Sequence, residues 1–159
     1  MENQQIRIGT CVPGDRAEEW LPALADAGFE TASINFHMEY HGVDIAEQGP
    51  RLKALAEEKG VEITTLGYYC NAVQFDEHRR NLEKAIDCAP LYGAKVVSTF
   101  AGAYEYRPVP ESYAKFGEVF RDLARRAEDR GLRLAIENCP MGGTWDHLTC
   151  NLAMNPRAW

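Results

Sequence analysis

Short apolar runs alternate along the chain with longer stretches in which apolar residues recur at helical spacing. Residues 6–11 alternate as a first strand, and Val12-Pro13-Gly14 is a turn. Asp15, with Glu18 a helical turn further on, has the spacing of an N-cap, and Trp20, Leu21, Leu24 and Ala25 form the stripe of the helix it opens. Residues 29–36 are a second strand that runs out into polar Asn35, His37, Glu39 and His41. Pro50 reads as the first residue of the next helix, where its missing N–H costs nothing, with Leu52, Leu55 and Ala56 inward. Residues 61–69 form a third strand leading into Cys70-Asn71. Asp76 caps a helix that buries Leu82, Ala85, Ile86 and Ala89, and Pro90 tightens or kinks its last turn. Residues 94–100 are a continuous apolar run, as in a strand covered on both faces. Residues 108–111 start a helix with a stripe of Tyr113, Phe116, Phe120, Leu123, Ala124 and Ala127, and its other face is mixed in charge and solvated. Residues 132–136 are the fifth strand, and Glu137 stands where it stops.

Four helices end at Gly28, Gly60, Gly93 and Gly131, and each glycine is followed by an apolar residue, a charged residue and a strand. The intervals are nearly equal, so this is one βα unit repeated, with right-handed crossovers between parallel strands. An eight-unit barrel of roughly 250 residues has about 31 residues per unit, which matches. The expected fold class is therefore α/β: a partial (β/α)8 barrel of about five parallel strands and four helices, with the C-terminal strands absent, forming a single domain over residues 1–159. A doubly wound sheet is the rival, but no glycine-rich phosphate loop follows the first strand. Asn155 as a cap and Pro156 as a first helical residue suggest that a fifth helix is starting where the sequence stops, the N-terminal part of a longer barrel.

In such barrels chemistry sits at the carboxyl ends of the strands. Those ends carry Thr10 and Cys11, Asn35 and His37, Tyr69 and Asn71, Thr99 and Gly102, and Glu137 and Asn138. Amide, hydroxyl, imidazole and a single carboxylate suit a polyhydroxylated ligand, and Gly102 leaves room for close backbone approach. Each residue has a plainer reading beside the functional one. His37 is a substrate contact or a solvated histidine near His41. Asn71 contacts substrate or closes an Asx-turn. Trp145 walls a sugar pocket or covers the barrel rim. Tyr68 and Tyr69 face opposite ways, so one of them packs between strand and helix. Glu137 is a chemical group or a loop-top cap.

Composition narrows the function classes. Hydrophobic residues at 45% and charged residues at 26% describe an ordinary globular chain with no apolar run of membrane-spanning length. The polar first five residues resemble no signal peptide. A net charge of −7 disfavours nucleic acid, which needs a basic face, and fits carboxylates gathered around a cation. The five cysteines are odd in number and lack a C-x-x-C pair, which reads as reduced thiols in a cytoplasmic protein. His147 and Cys150 alone are weak evidence for zinc.

Ile136-Glu137-Asn138-Cys139-Pro140, the following Met141-Gly142-Gly143-Thr144-Trp145, and then Asn151-Leu152-Ala153 and Pro156-Arg157-Ala158-Trp159, resemble the xylose-isomerase-like TIM-barrel family of sugar and sugar-phosphate isomerases and epimerases. Tyr69-Cys70-Asn71 and Thr99-Phe100-Ala101-Gly102 are similar to it as well. The resemblance implies a divalent metal (Mn, Mg, Co or Zn) held by Glu, Asp, His and a second Glu at strand tips, with the two Glu residues moving the proton. Glu137 matches the first of these, as catalytic residue and metal ligand, and the other three match no position here. His37, Tyr69, Asn71 and Trp145 are the candidate substrate-binding residues.

The expected parent activity is metal-dependent proton transfer next to a carbonyl of a small sugar or polyol, with this chain inactive alone, whether or not it holds a metal. An inosose-dehydratase-type lyase needs the same proton removal. A non-catalytic truncated barrel acting as an interaction module is the alternative outside enzymes. A repair nuclease on this fold is disfavoured by the acidic balance. Neither a membrane nor a nucleic acid is expected as partner, and exposed barrel edges point to self-association.

Overall fold

The computed structural model describes residues 6–154 and 156–158. The chain alternates strand and helix: β1 (Gly9–Pro13), α1 (Ala17–Asp26), β2 (Thr31–His37), α2 (Ile45–Lys59), β3 (Glu62–Tyr69), α3 (Asp76–Cys88), β4 (Val96–Thr99), α4 (Val109–Glu128) and β5 (Arg133–Ile136). The five strands are parallel and lie in the order β1-β2-β3-β4-β5. Sequential order with no reversal is the barrel arrangement and not the doubly wound one, as the repeat predicts.

Register sorts the side chains by face. Val12, Ile34, Leu66, Val97 and Leu134 are aligned across the sheet. The first four of these are buried in the main core with Leu21 and Leu24 of α1, Leu52 and Ala56 of α2, Leu82 and Ile86 of α3, and Phe120 and Leu123 of α4. All four helices therefore pack on one face of the sheet. Each large aliphatic side chain removed from water there contributes about 1.5–3 kcal/mol. Tyr68 belongs to this face and takes the packing role. It is fully buried, its hydroxyl donates to the Met38 carbonyl at 2.6 Å, and it accepts from the Asn81 amide at 3.1 Å.

Several boundaries differ from the sequence reading. The first strand pairs from Gly9 to Pro13, beyond the expected 6–11, because the ladder to β2 starts at Gly9 and Thr31; Ile6 and Ile8 are left exposed. Asp15 does not cap α1. It lies in a 3-10 turn, Gly14–Arg16, that makes no side-chain cap, and Gly14 passes so close to Phe36 that a Cβ would meet that ring at 2.2 Å. Trp20 is exposed beneath the Arg16 guanidinium, while Leu21 and Leu24 carry the stripe. Helix α2 starts five residues before Pro50, capped by the Asp44 carboxylate on the Ala46 N–H at 3.0 Å, so Pro50 lies inside it. Asp76 is the first residue of α3 and Phe75 holds the cap position. In α4, Tyr113 and Ala124 are exposed, and Val119 and Ser112 are buried instead.

Pro90 acts as expected: the last turn narrows to a 3-10 segment, Ala89–Tyr92. The four repeat glycines all adopt positive φ, between 67° and 85°, which explains why each helix stops there. The proposed cap Asn155 lies outside the described residues, and Pro156–Ala158 form a 3-10 turn. No helix among the described residues is long and apolar enough to cross a membrane.

Candidate strand-tip site

The face turned away from the helices is polar and small. Asn35, Gly67, Ser98 and Ala135 are aligned across β2 to β5. Barrel interiors are usually filled with branched apolar side chains, so this row is a departure with a purpose. Asn35 accepts a hydrogen bond from Ser33 at 2.8 Å. A Cβ on Gly67 would meet Asn35 Oδ1 at 2.3 Å, the Tyr69 ring at 2.8 Å and Ser98 Oγ at 2.9 Å. Glycine at 67 thus clears the floor on which Tyr69 lies.

One step toward the carboxyl ends, His37 pairs in register with Tyr69. Their rings stack with centroids 4.9 Å apart and planes 15° apart. Tyr69 also tilts against Phe100 at 5.1 Å and belongs to a small cluster with Phe100 and Cys150, flanked by Met38 and Cys139. Its hydroxyl accepts from Ser98 at 3.0 Å. Burial pushes the phenol above its ordinary range; the Ser98 bond offsets part of this, and the nearby Glu137 carboxylate adds to it. The structure thus brings Tyr69, His37 and Glu137 to one edge. His37 itself is exposed.

The turn after His37 is strained in a specific way. Met38 has φ of +62°, unusual for a residue with a side chain. Bonds on both sides hold it there: its N–H donates to the Tyr69 carbonyl at 2.9 Å and its carbonyl accepts from Tyr68 at 2.6 Å. Beside this turn, Cys11, Val12, Pro13, Asp15, Asn35, His37 and His41 line a cleft of about 240 Å³.

Glu137 follows the last residue of β5, and its N–H continues the ladder to the Thr99 carbonyl at 3.0 Å. Alternation puts its side chain on the face of Ala135, the polar one. Glu137 and Asn138 are both exposed. A hard cation takes six or more oxygens, of which one carboxylate supplies at most two. Among the described residues no group of three or more His, Cys, Asp or Glu side chains could hold an ion. The residues present do not by themselves fit a metal centre.

Asn71 is 1% exposed and its amide is fully engaged. Nδ2 donates to the Ala103 carbonyl at 2.8 Å and, at 3.4 Å, to Glu105; Oδ1 accepts from the N–H of Ala103 at 2.9 Å and of Gln74 at 3.2 Å. It laces the loops after β3 and β4 together. Trp145 is half-buried in a second cluster with Ala101, Ala103, Val109, Leu148 and Leu152, over the start of α4. Gly102, at φ of +76°, admits close approach by protein: a Cβ would meet the Val73 backbone nitrogen at 2.9 Å and Asn71 Oδ1 at 3.0 Å.

A residue without an assigned role in the sequence reading is Asn151. It is 1% exposed and pairs with Gly102 in an isolated parallel bridge, so the segment after β5 folds back along the tip of β4. Its place within Asn151-Leu152-Ala153 was visible, but nothing local in the sequence shows that a distant amide will meet Glu137.

No curated protein matches the chain. Solved structures do. An L-ribulose 3-epimerase is similar over 83% of this chain and 49% of its own, with 18% identity and a TM-score of 0.63. A D-allulose 3-epimerase from Methylomonas sp. is similar over 83% and 51%, with 20% identity and a TM-score of 0.62. A xylose isomerase domain protein from Planctomyces limnophilus is similar over 85% and 55%, with 14% identity and a TM-score of 0.66. The chain spans about half the length of these structures, and at such identities the likeness is one of fold. The sequential parallel sheet is thus a partial barrel. The family model of the xylose isomerase-like TIM barrel matches residues 21–152, most of the chain and all of β2 to β5, and the chain belongs to that family.

Proposed function

We propose that this chain builds the first half of the strand-tip site of a sugar or sugar-phosphate isomerase or epimerase. Glu137 is one of the two carboxylates that move the proton next to the substrate carbonyl, one on each face of the reacting carbon. The observation that carries the reading is the placement of Glu137 at the end of β5, on the same polar face as the His37–Tyr69 stack. Stacked rings suit the C–H face of a polyol, and the Asn35 and Ser98 row beneath suits its hydroxyls. Trp145 borders the site from the last loop, and Asn71 serves it by holding the loops after β3 and β4. D-Allulose, the sugar bound in the Methylomonas structure, exemplifies the substrate class.

In a complete barrel Glu137 would be one ligand of a divalent metal (Mn, Mg, Co or Zn), which would supply polarisation of the carbonyl. On this reading the chain alone is inactive, because three of the four ligands the reading needs match no position in it. The substrate is a small polyol and not nucleic acid, in keeping with the net charge of −7. Free cysteines, three of them buried, support a cytoplasmic location.

Deuterium uptake from D2O into ketoses tests the reading. A complete barrel carrying this segment should exchange the proton α to the carbonyl, and Glu137→Gln should abolish it. Unchanged exchange in that variant, or exchange by the 159-residue chain alone, overturns the assignment. Inversion against loss of water in the product distinguishes an epimerase from an inosose-dehydratase-type lyase.

A further inference from the structure

We propose that Asn151 is the positioning residue for Glu137, an inference that rests on reading Glu137 as the working carboxylate. The Asn151 amide uses its whole hydrogen-bonding capacity on backbone. Nδ2 donates to the carbonyl of Glu137 at 2.8 Å and to that of Cys139 at 2.8 Å. Oδ1 accepts from the N–H of Ala101 at 3.0 Å and of Ala153 at 3.3 Å. One planar group therefore ties the residue carrying the carboxylate to the tip of β4. The backbone of Leu152 adds a bond from its N–H to the Gly102 carbonyl at 3.1 Å.

This arrangement matters because Glu137 lies one residue past the last residue of β5, where its own N–H bond to Thr99 is the only ladder bond holding it among those of the described residues. Among the described residues β5 pairs with β4 alone. Holding the peptide groups on both sides of a Cα fixes φ and ψ there, and with them the direction of the Cα–Cβ bond. Asn151 holds the carbonyl side. It thereby sets the direction in which the side chain leaves the chain, on the face that carries Tyr69, whose ring is already fixed by His37, Phe100 and Ser98. Buried, saturated amides of this kind specify one arrangement, because the alternatives leave several polar groups unpaired.

The selective variant is Asn151→Asp. It keeps an acceptor for Ala101 and Ala153 and removes both donors to Glu137 and Cys139. By NMR, the unaltered chain should show a nuclear Overhauser contact between the Glu137 side chain and the Tyr69 ring. In the variant that contact should vanish, while amide exchange of Leu134 and Ile136 changes by less than about threefold and the His37–Tyr69 contact persists. A purely structural role predicts instead that β5 protection and the Glu137 contact are lost together. A second measurement needs no variant: scalar coupling across the hydrogen bond from Asn151 Nδ2 to the Glu137 carbonyl carbon should be present in the unaltered chain. Its absence, or a Glu137–Tyr69 contact that survives Asn151→Asp, overturns the proposal. No readout here uses turnover, so failure of the Glu137 assignment in the exchange assay remains distinguishable from failure of the clamp.

Discussion

The Tyr69 ring lies almost parallel to the His37 imidazole, 15° between planes and 4.9 Å between centroids, with one partner nearly buried and the other open to solvent. The pair arises because parallel register sets His37 of β2 opposite Tyr69 of β3. At the left-handed turn that follows, Met38 packs beside the Tyr69 cluster while His37 stays open to solvent. The exposed His37 ring is thereby backed by a Tyr69 ring that is itself 8% exposed.

Glycine at 67 is what this stacked pair requires. Gly67→Ala places a methyl within 3 Å of Asn35, Tyr69 and Ser98. Overpacking of this kind costs about 1–3 kcal/mol. Denaturant unfolding should show that loss, and the Tyr69 ring resonances should move more than those of Tyr68 on the opposite face. A variant as stable as the parent chain, with Tyr69 unmoved, would contradict the packing described.

Glu137→Gln should leave the isolated chain's stability within about 0.5 kcal/mol of the original, because the side chain is exposed and the backbone makes the structural bonds. The denaturation midpoint checks this. A large destabilisation would return Glu137 to the plainer reading of a structural cap.

Alkaline pH should unfold the chain. Burial pushes the Tyr68 phenol up to about 12 and raises those of Tyr40 and Tyr92 further. A folded-state value above the unfolded one means stability is fully present below about pH 10, the unfolded range. It is lost as pH rises through the folded values, since the unfolded chain gives up these protons first. Thermal melts between neutral pH and pH 12 should show a plateau and then a fall starting near pH 10. A melting temperature constant through pH 12 would be incompatible with tyrosines buried in this way.

Self-association is expected through the sheet edges. Among the described residues β1 and β5 each have a neighbour on one side only, and Ile8 before β1 is 64% exposed. Open edges recruit further strands. Sedimentation velocity should show mass increasing with concentration, reduced by Ile8→Lys. The face away from the helices contributes less to this than an apolar barrel interior would, because its middle row is Asn35, Gly67, Ser98 and Ala135. A concentration-independent monomer with a cooperative melt would rule out edge pairing.

The repeat of glycine, apolar residue, charge and strand was enough to determine the element order, the parallel sheet and its sequential topology. It was enough because positive φ at a helix end and strand alternation are local properties of the chain. The tips of β2, β3 and β5 could be read for the same reason, but that of β1 could not: the alternation stopped at Cys11, and the pairing with β2 carries on to Pro13. Helix starts were less legible. Pro50 looked like a first helical residue, but Asp44 offered a better cap, and the tight contact of Gly49 with Tyr92 settled α2 against its neighbours. The working arrangement of the tips was decided only by tertiary structure. Asn35, Gly67 and Ser98 form one row through the register of strands far apart in sequence. Asn71 and Asn151 turned from loop amides into the ties of three strand tips because their partners, Ala103, Ala101 and Glu137, are brought to them by the parallel sheet. An amide's chemistry is written in the residue, but which four backbone groups will surround it depends on the packing of the whole chain.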